Sequence, residues 1–311
     1  MGTPEFAVPA LAAVARACEV AAVVTQPDRP RGRGLESGPS AVALEAARLG
    51  LATLKPERVH TPELSTQLEA LKPDLFAVVA FGAILKPDLL RVPRLGAINL
   101  HGSQLPDYRG AAPVQRALWD GRGFSGVTTL WMDAGIDTGD LILQRWSPIG
   151  ADDDAGTLAR TLATLGAPLL AESLTLAQAG QAPRRPQDRA AGSYAGKLTK
   201  RDGEVDWTLD AVAVWNHQRA VTPWPGAAAS FQGRRITILA ARPLDLLPRA
   251  EAPGTVLGVA GDTITVACGR GALALVRLRP EDRGEMGAAE WARGARVSAG
   301  AVFELEKEAH A

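Results

Sequence analysis

Asp74-Leu75-Phe76-Ala77-Val78-Val79-Ala80-Phe81 and, beyond a short helical turn around Pro87 to Arg91, Ala97-Ile98-Asn99-Leu100-His101 are the two runs that decide the fold. The first is almost continuously apolar, as a strand is when helices cover both faces of a parallel sheet. The same grammar extends outward. Glu19 to Thr25 reads as a strand, Pro39 to Leu49 and Pro62 to Leu71 as helices. Downstream, a helix from Pro113 to Asp120 precedes strands at Gly126 to Met132 and Leu141 to Trp146. Asp154 is a fair N-cap for a long helix to about Ala179, with Gly180 as its stop. Short β-branched runs alternating with helices predict an α/β domain, a Rossmann-like parallel sheet flanked by helices.

Gln181 to Gly192 is polar and broken by Pro183 and Pro186, as linkers are. We therefore expect a first domain over 1–180, a linker over 181–200 and a second domain over 201–311. In the second, one helix from about Leu209 to Ala220 precedes strands separated by turn signals at Gln232-Gly233, Gly261-Asp262 and Cys268 to Gly271. That pattern fits a small, mostly antiparallel barrel or sandwich.

The 311 residues suffice for two domains of ordinary size. Lys and Arg number 34, as do Asp and Glu, so there is no global pull toward nucleic acid or acidic membranes, and RNA binding must rest on local patches. Cys18 and Cys268 form no CxxC pair or staple framework, which favours a reducing compartment and two buried small hydrophobes. Met1 to Phe6 carries no signal-peptide pattern, and the apolar stretches are too short or interrupted to span a bilayer. A soluble cytoplasmic monomer is expected. His60, His217 and His310 have no ligand spacing with one another or with the cysteines, so no metal is expected.

Asn99 and His101 stand two apart at the end of a predicted strand, so both side chains project from one face, at the carboxyl end where open α/β sheets place their ligands. A lone histidine is as well read as a satisfied structural one; the pairing with Asn99 favours chemistry. Met132 to Asp140 holds two glycines and three carboxylates between two strands. It is either a wide surface turn or a loop crossing the sheet end, where one carboxylate would hold the imidazole in a chosen tautomer. Asn, His and Asp together suit acyl transfer to an amine without a covalent intermediate, since Ser103 lacks a nucleophile-elbow sequence. Donors from Asn99 and His101 would stabilise charge on the carbonyl oxygen, and Asp137 would take the amine's proton directly or through water.

Thr25 to Gly34 is a basic, Gly/Pro-rich loop, either solvated or able to grip phosphates through Arg29, Arg31 and Arg33. Its glycines lack the spacing of a nucleotide fingerprint. Arg109 opens a good helix start at Pro113 and either touches substrate or decorates the turn. Trp207, Trp215 and Trp224 are read as core packing in preference to base stacking.

Together these motifs resemble the methionyl-tRNA formyltransferases, within the folate-dependent formyltransferase family. The resemblance runs through Gly2 to Phe6, Gln26 to Gly34, Asn99 to Ser103, Tyr108 to Pro113, Asp133 to Asp140, Tyr194 to Leu198, Asp206-Trp207 and Pro223-Trp224-Pro225. It implies Asn99, His101 and Asp137 as the catalytic set and 10-formyltetrahydrofolate as the formyl donor. It implies a folate site at Phe81, Gly82, Ile84, Leu85, Ser103, Leu105, Pro106, Asp133 and Asp140. It implies initiator methionyl-tRNA as partner, held through Arg29, Arg31, Arg33, Arg109 and Lys197, and an OB-like β-barrel as second domain.

The chain departs from the family in three places. The family has a strand immediately before Gly2-Thr3-Pro4, so a longer native N-terminus is expected here. Gln104 stands where the family has leucine, and Leu35-Glu36-Ser37 where it has lysines. The rivals are a folate-dependent formyltransferase acting on an amino sugar nucleotide, and a non-catalytic RNA-binding protein on the same scaffold.

Overall fold

The computed structural model describes residues 1–31, 36–244 and 251–304. They form two compact units. The first gathers residues 1–113, 124–148 and 159–196, and the second 114–123, 149–158 and 197–311.

In the first unit a 3-10 turn, Glu5–Ala7, leads into α1, Val8–Ala17. Then come β1, Val23–Val24, the antiparallel pair β2, Arg29–Arg31, and β3, Glu36–Gly38, and helix α2, Ala41–Arg48. Ser40 caps α2 by accepting from Ala43 N at 3.0 Å, a bond whose loss costs about 1 kcal/mol. β4, Thr53–Leu54, is followed by α3, Pro62–Ala70, capped by Thr61. β5, Leu75–Val78, α4, Pro87–Leu90, and β6, Gly96–His101, continue the alternation. β7 is Arg109–Gly110, β8 Phe124–Trp131 and β9 Leu141–Pro148, while α5, Pro113–Trp119, belongs from Val114 onward to the second unit. The long α6, Ala155–Gln178, is capped by Asp154, which accepts from Thr157 N at 2.8 Å, and β10 is Tyr194–Ala195.

β1 pairs parallel with β4, and β5 with β6. β8 and β9 extend the sheet antiparallel in the order β5-β6-β8-β9, because a hairpin loop joins them and turns the chain straight back. Phe76, Val78 and Ala97 pack with Leu64 and Leu68 of α3 and Leu89 of α4. From α6, Gly166 lies against Leu100, where a Cβ would come within 2.8 Å of the leucine. The helix thus approaches the strand that carries Asn99 and His101. Met1 and Gly2 lie between β1 and β5: Gly2 N donates to Val24 O at 3.0 Å and Val79 N to Met1 O at 2.9 Å. An apolar cavity of about 190 Å³ adjoins them, lined among others by Leu11, Val14, Val23, Leu75, Ala77 and Leu170.

In the second unit α7, Ala211–Ala220, is capped by Asp210. The strands are β11, Ala227–Phe231, β12, Arg234–Leu244, β13, Val256–Ala260, β14, Thr263–Ala267, β15, Ala272–Pro280, β16, Met286–Gly287, and, after helix α8, Ala288–Ala295, β17, Phe303–Glu304. All pair antiparallel, in the order β13-β14-β15-β12-β11-β17, with β16 on β15. Gln232 and Gly233, with φ +50° and +76°, make the expected tight turn between β11 and β12. The sheet curls until Thr255 bridges Val302, and its interior holds the rings of Trp207, Phe231, Trp291 and Phe303.

Trp207 is in that core as expected, but Trp224 is 53% exposed, since it sits in the turn after α7 with no core to enter. Cys268 is buried, and burial pushes its thiol up to about 12. Cys18 is only half-buried, because it follows the last turn of α1 at the surface. Among the described residues no helix is long and apolar enough to cross a membrane, and no group of three or more His, Cys, Asp or Glu side chains could hold a metal ion.

Candidate active site

Asn99 and His101 occupy alternate positions at the end of β6, so they share one face of the strand. The hairpin loop between β8 and β9 brings Asp137 to both. Asp137 Oδ1 accepts from Asn99 Nδ2 at 3.0 Å, and Asp137 Oδ2 lies 3.5 Å from His101 Nδ1. Oδ2 also accepts from the backbone N–H of Gly110 at 2.8 Å. His101 is only 6% exposed, and its Nε2 is 2.9 Å from the Tyr108 carbonyl oxygen. A carbonyl can only accept, so Nε2 carries the proton and donates. The ring is therefore oriented at closest range by the Tyr108 carbonyl, while the carboxylate faces its other nitrogen.

The loop is shaped to deliver that carboxylate. Asp133 Oδ1 accepts from Gly135 N at 2.9 Å and from Thr138 Oγ1 at 2.8 Å, which closes the turn upon itself. At Gly139 a Cβ would overlap the Trp131 carbonyl oxygen, so only glycine lets the loop re-enter β9. Asp137 itself has φ +54°, a left-handed conformation costing about 1–2 kcal/mol in a residue with a Cβ. The bonds from Asn99 and Gly110 offset that cost.

The sequence model of the family described as formyl transferase matches residues 6–174, and that of the formyl transferase C-terminal domain matches residues 197–296. This chain belongs to the formyl transferase family. A methionyl-tRNA formyltransferase of Citrifermentans bemidjiense is 42% identical over 304 residues, 97% of this formyl transferase and 95% of the relative. One from Stenotrophomonas maltophilia is 46% identical over 291 residues, covering 93% and 94% of the two chains. Among solved structures, an N-formyltransferase from Helicobacter canadensis, in complex with folinic acid and dTDP-3-aminofucose, has a TM-score of 0.65 at 18% identity and covers 88% of this chain and 97% of its own. HypX from Aquifex aeolicus, in complex with tetrahydrofolic acid, has a TM-score of 0.58 at 21% identity over 80% of this chain and 43% of its own. These two likenesses speak for the fold.

The remaining residues singled out in the sequence of this formyl transferase are placed as follows. Phe81 is buried, and its carbonyl accepts from Thr3 Oγ1 at 2.9 Å and Gln26 Nε2 at 3.5 Å. Gly82 has φ +84°; Ile84 is 63% exposed, whereas Leu85 is buried. Ser103 Oγ donates to Asp107 O at 2.6 Å, and the Leu105 carbonyl accepts from Gln144 Nε2 at 2.9 Å, so both shape the loop through Pro106 to Tyr108. Asp133 and Asp140 face Arg189 at 3.6 Å and Arg184 at 4.0 Å. Arg29 and Lys197 are exposed. Arg33 and the side chain of Arg31 lie outside the described residues. Arg109 is directed into residues 187–191: Nε and Nη2 donate to Gln187 Oε1 at 3.2 and 3.0 Å, and Nη2 and Nη1 to the Asp188 and Ala191 carbonyls at 3.1 and 3.3 Å.

Sequence reasoning missed the Tyr108 carbonyl, the Gly110 N–H and the Gln187 side chain. The first two are main-chain groups with no residue signature. Gln187 lies in a segment whose composition reads as linker.

Proposed function

We propose that this formyl transferase moves the formyl group of 10-formyltetrahydrofolate onto the amino group of methionyl-tRNA, with Asn99, His101 and Asp137 as its catalytic residues. The observation that carries the reading is the single carboxylate of Asp137, shared between the Asn99 amide and the Gly110 N–H and facing the His101 ring. The two relatives that bear the methionyl-tRNA formyltransferase name match nearly the whole chain, which supports the choice of acceptor.

Asn99 Nδ2 has two N–H groups, and one is used on Asp137. The other is free to donate to the formyl oxygen as charge develops there, a contribution of roughly 3 kcal/mol. The attacking amine forms the new C–N bond as the bond to the folate nitrogen breaks, so one proton must leave the amine and one must reach the folate nitrogen. Asp137 takes the first, directly or through water, with the unprotonated His101 Nδ1 3.5 Å away to share that proton. The same proton is returned to the folate nitrogen as it leaves, so the step needs no other donor. General-base help of this kind is worth roughly 10²- to 10⁴-fold. Ile84 and Ile136 are large apolar side chains left exposed in the two segments assigned to folate, and a flat aromatic ligand would cover such surface. Arg29, Arg31, Arg33 and Lys197 would hold phosphates of the RNA. We likewise propose that the enzyme acts in the cytoplasm, where methionyl-tRNA is used, and as a monomer.

Single-turnover formylation of methionyl-tRNA tests it. The wild-type enzyme should transfer the group from 10-formyltetrahydrofolate and His101→Ala, folded by circular dichroism, should not. Near-normal turnover in that variant would remove the mechanism, and an inactive wild-type enzyme would remove the acceptor.

A further inference from the structure

We propose that Gln187, oriented by Arg109, is a positioning residue that clamps the main chain of the Asp137 loop and so fixes where the Asp137 carboxylate stands. The inference rests on the reading of Asp137 as catalytic.

Gln187 Nε2 donates to the carbonyl oxygens of Asp137 at 2.8 Å and Gly139 at 2.7 Å, and thereby spends both its hydrogens on the loop apex. These carbonyls lie beyond the last β8–β9 pair, Leu130 with Leu141, so the ladder does not serve them. On its other side Gln187 Oε1 accepts from Nε and Nη2 of Arg109. An amide side chain is ordinarily ambiguous between its two orientations. Here two carbonyls face one end and two guanidinium N–H groups the other, and only the orientation described satisfies all four.

The clamp closes on the site from both sides. Arg109 stands in β7 between Tyr108, whose carbonyl holds His101, and Gly110, whose N–H holds the Asp137 carboxylate. β7 pairs with β10, so the segment from Gln187 to Ala195 frames the strand that grips the side chain while Gln187 grips the backbone of the same residue. With φ +54° at Asp137, a small rotation at the apex would swing the carboxylate away from Asn99 and His101. Arg109, expected from sequence to bind tRNA, acts here through Gln187.

Gln187→Glu separates this role from bulk packing, because it keeps the shape and the Arg109 partnership but cannot donate to either carbonyl. The expected result for Gln187→Glu and Gln187→Ala is a fall in kcat of about 10- to 100-fold, as misplacement by up to about 1 Å can produce, with KM for methionyl-tRNA within about threefold. Arg109→Ala should lower kcat likewise and leave the salt dependence of tRNA binding unchanged. The double variant Arg109→Ala with Gln187→Ala should be no worse than the more impaired single variant. Amide exchange at Gly110, followed by NMR without substrate, should quicken in Gln187→Glu; this arm stands even if methionyl-tRNA is the wrong acceptor. The inference is overturned if folded Gln187→Glu keeps wild-type kcat and Gly110 protection, or if the Arg109→Ala defect lies wholly in KM for the tRNA with a reduced salt slope.

Discussion

The His101 ring donates through Nε2 to the Tyr108 carbonyl at 2.9 Å, and this bond turns Nδ1 toward Asp137. The imidazole edge near the carboxylate is thus chosen by a main-chain group seven residues downstream. In the proposed mechanism the proton of the incoming amine would therefore meet an Asp137–His101 pair whose Nε2 is already committed to the Tyr108 carbonyl.

Asp137→Asn tests the carboxylate with little change in shape. Both carboxylate oxygens accept N–H donors, one from Asn99 and one from Gly110. The introduced amide can accept on one side only, so Asn99 is expected to rotate its own amide and present its oxygen, which removes its N–H from the reacting carbonyl. The structural cost is that of at most one poorly paired donor, about 1–3 kcal/mol. The catalytic cost is larger: kcat should fall at least about 100-fold. A pH–rate profile beside the wild type decides whether Asp137 is base or orienter. Loss of the acid limb marks the base; a uniformly lowered curve of unchanged shape marks the orienter.

Gly110 is held by geometry that no other residue matches. Its φ is +111°, and a Cβ would lie 2.6 Å from the Ala195 carbonyl oxygen, across the β7–β10 pair. Gly110→Ala should destabilise the protein by about 2 kcal/mol or more from backbone strain and overlap. Because the same N–H donates to Asp137, formylation measured well below the melting temperature should fall as well. A variant that melts earlier yet turns over normally would show that the strain at residue 110 does not reach the Asp137 carboxylate.

The placement of Asn99 and His101 on one face of a strand is legible in the sequence, because both obey the two-residue period, and the glycines around Asp137 mark a turn. The bonds that hold the site were not legible. Gln187 contacts main-chain oxygens fifty residues upstream, and a side chain that serves a backbone leaves no spacing for a pattern to reveal. Helix α1 has no start signal in the sequence because Ala7 gives it no side-chain cap, and β2 and β3 have none because Pro30 reads as a loop residue. β8 and β9 read as strands, but their antiparallel direction follows from the loop between them, which Gln187 and Gly110 hold by hydrogen bonds at its apex.

In the second unit, His217 is buried on α7 with its Nε2 2.7 Å from the Asp202 carbonyl and its ring 4.5 Å from that of Trp119. Burial lowers its pKa below the ordinary 6.5, against weaker upward pulls from Asp202 and Asp206. The unfolded chain therefore binds this proton before the folded one does. Stability from this group is complete above about pH 6.5 and is lost as pH falls from there toward the lowered folded value. His217→Gln keeps a donor for the Asp202 carbonyl and removes the titration, so its denaturation midpoint should lose that part of the slope. An unchanged slope between pH 6.5 and 5 would show that other groups set it.

Lys55 Nζ meets Asp28 Oδ1 at 2.6 Å, immediately before the arginines that begin at Arg29. Both side chains are partly exposed, so the pair adds little to stability, at most about 1 kcal/mol. Its larger effect is on which charges remain: with Asp28 occupied, Arg29 presents its positive charge to solvent. Arg29→Ala should weaken methionyl-tRNA binding and reduce the slope of log affinity against log salt by about 1. Lys55→Ala should weaken binding more than the loss of one distant charge requires, since Asp28 is released to pair with Arg29. Adding Asp28→Asn to Lys55→Ala should then recover most of the loss. Binding that is indifferent to Arg29, or a double variant no better than Lys55→Ala alone, would show that the RNA does not approach along this edge of the sheet.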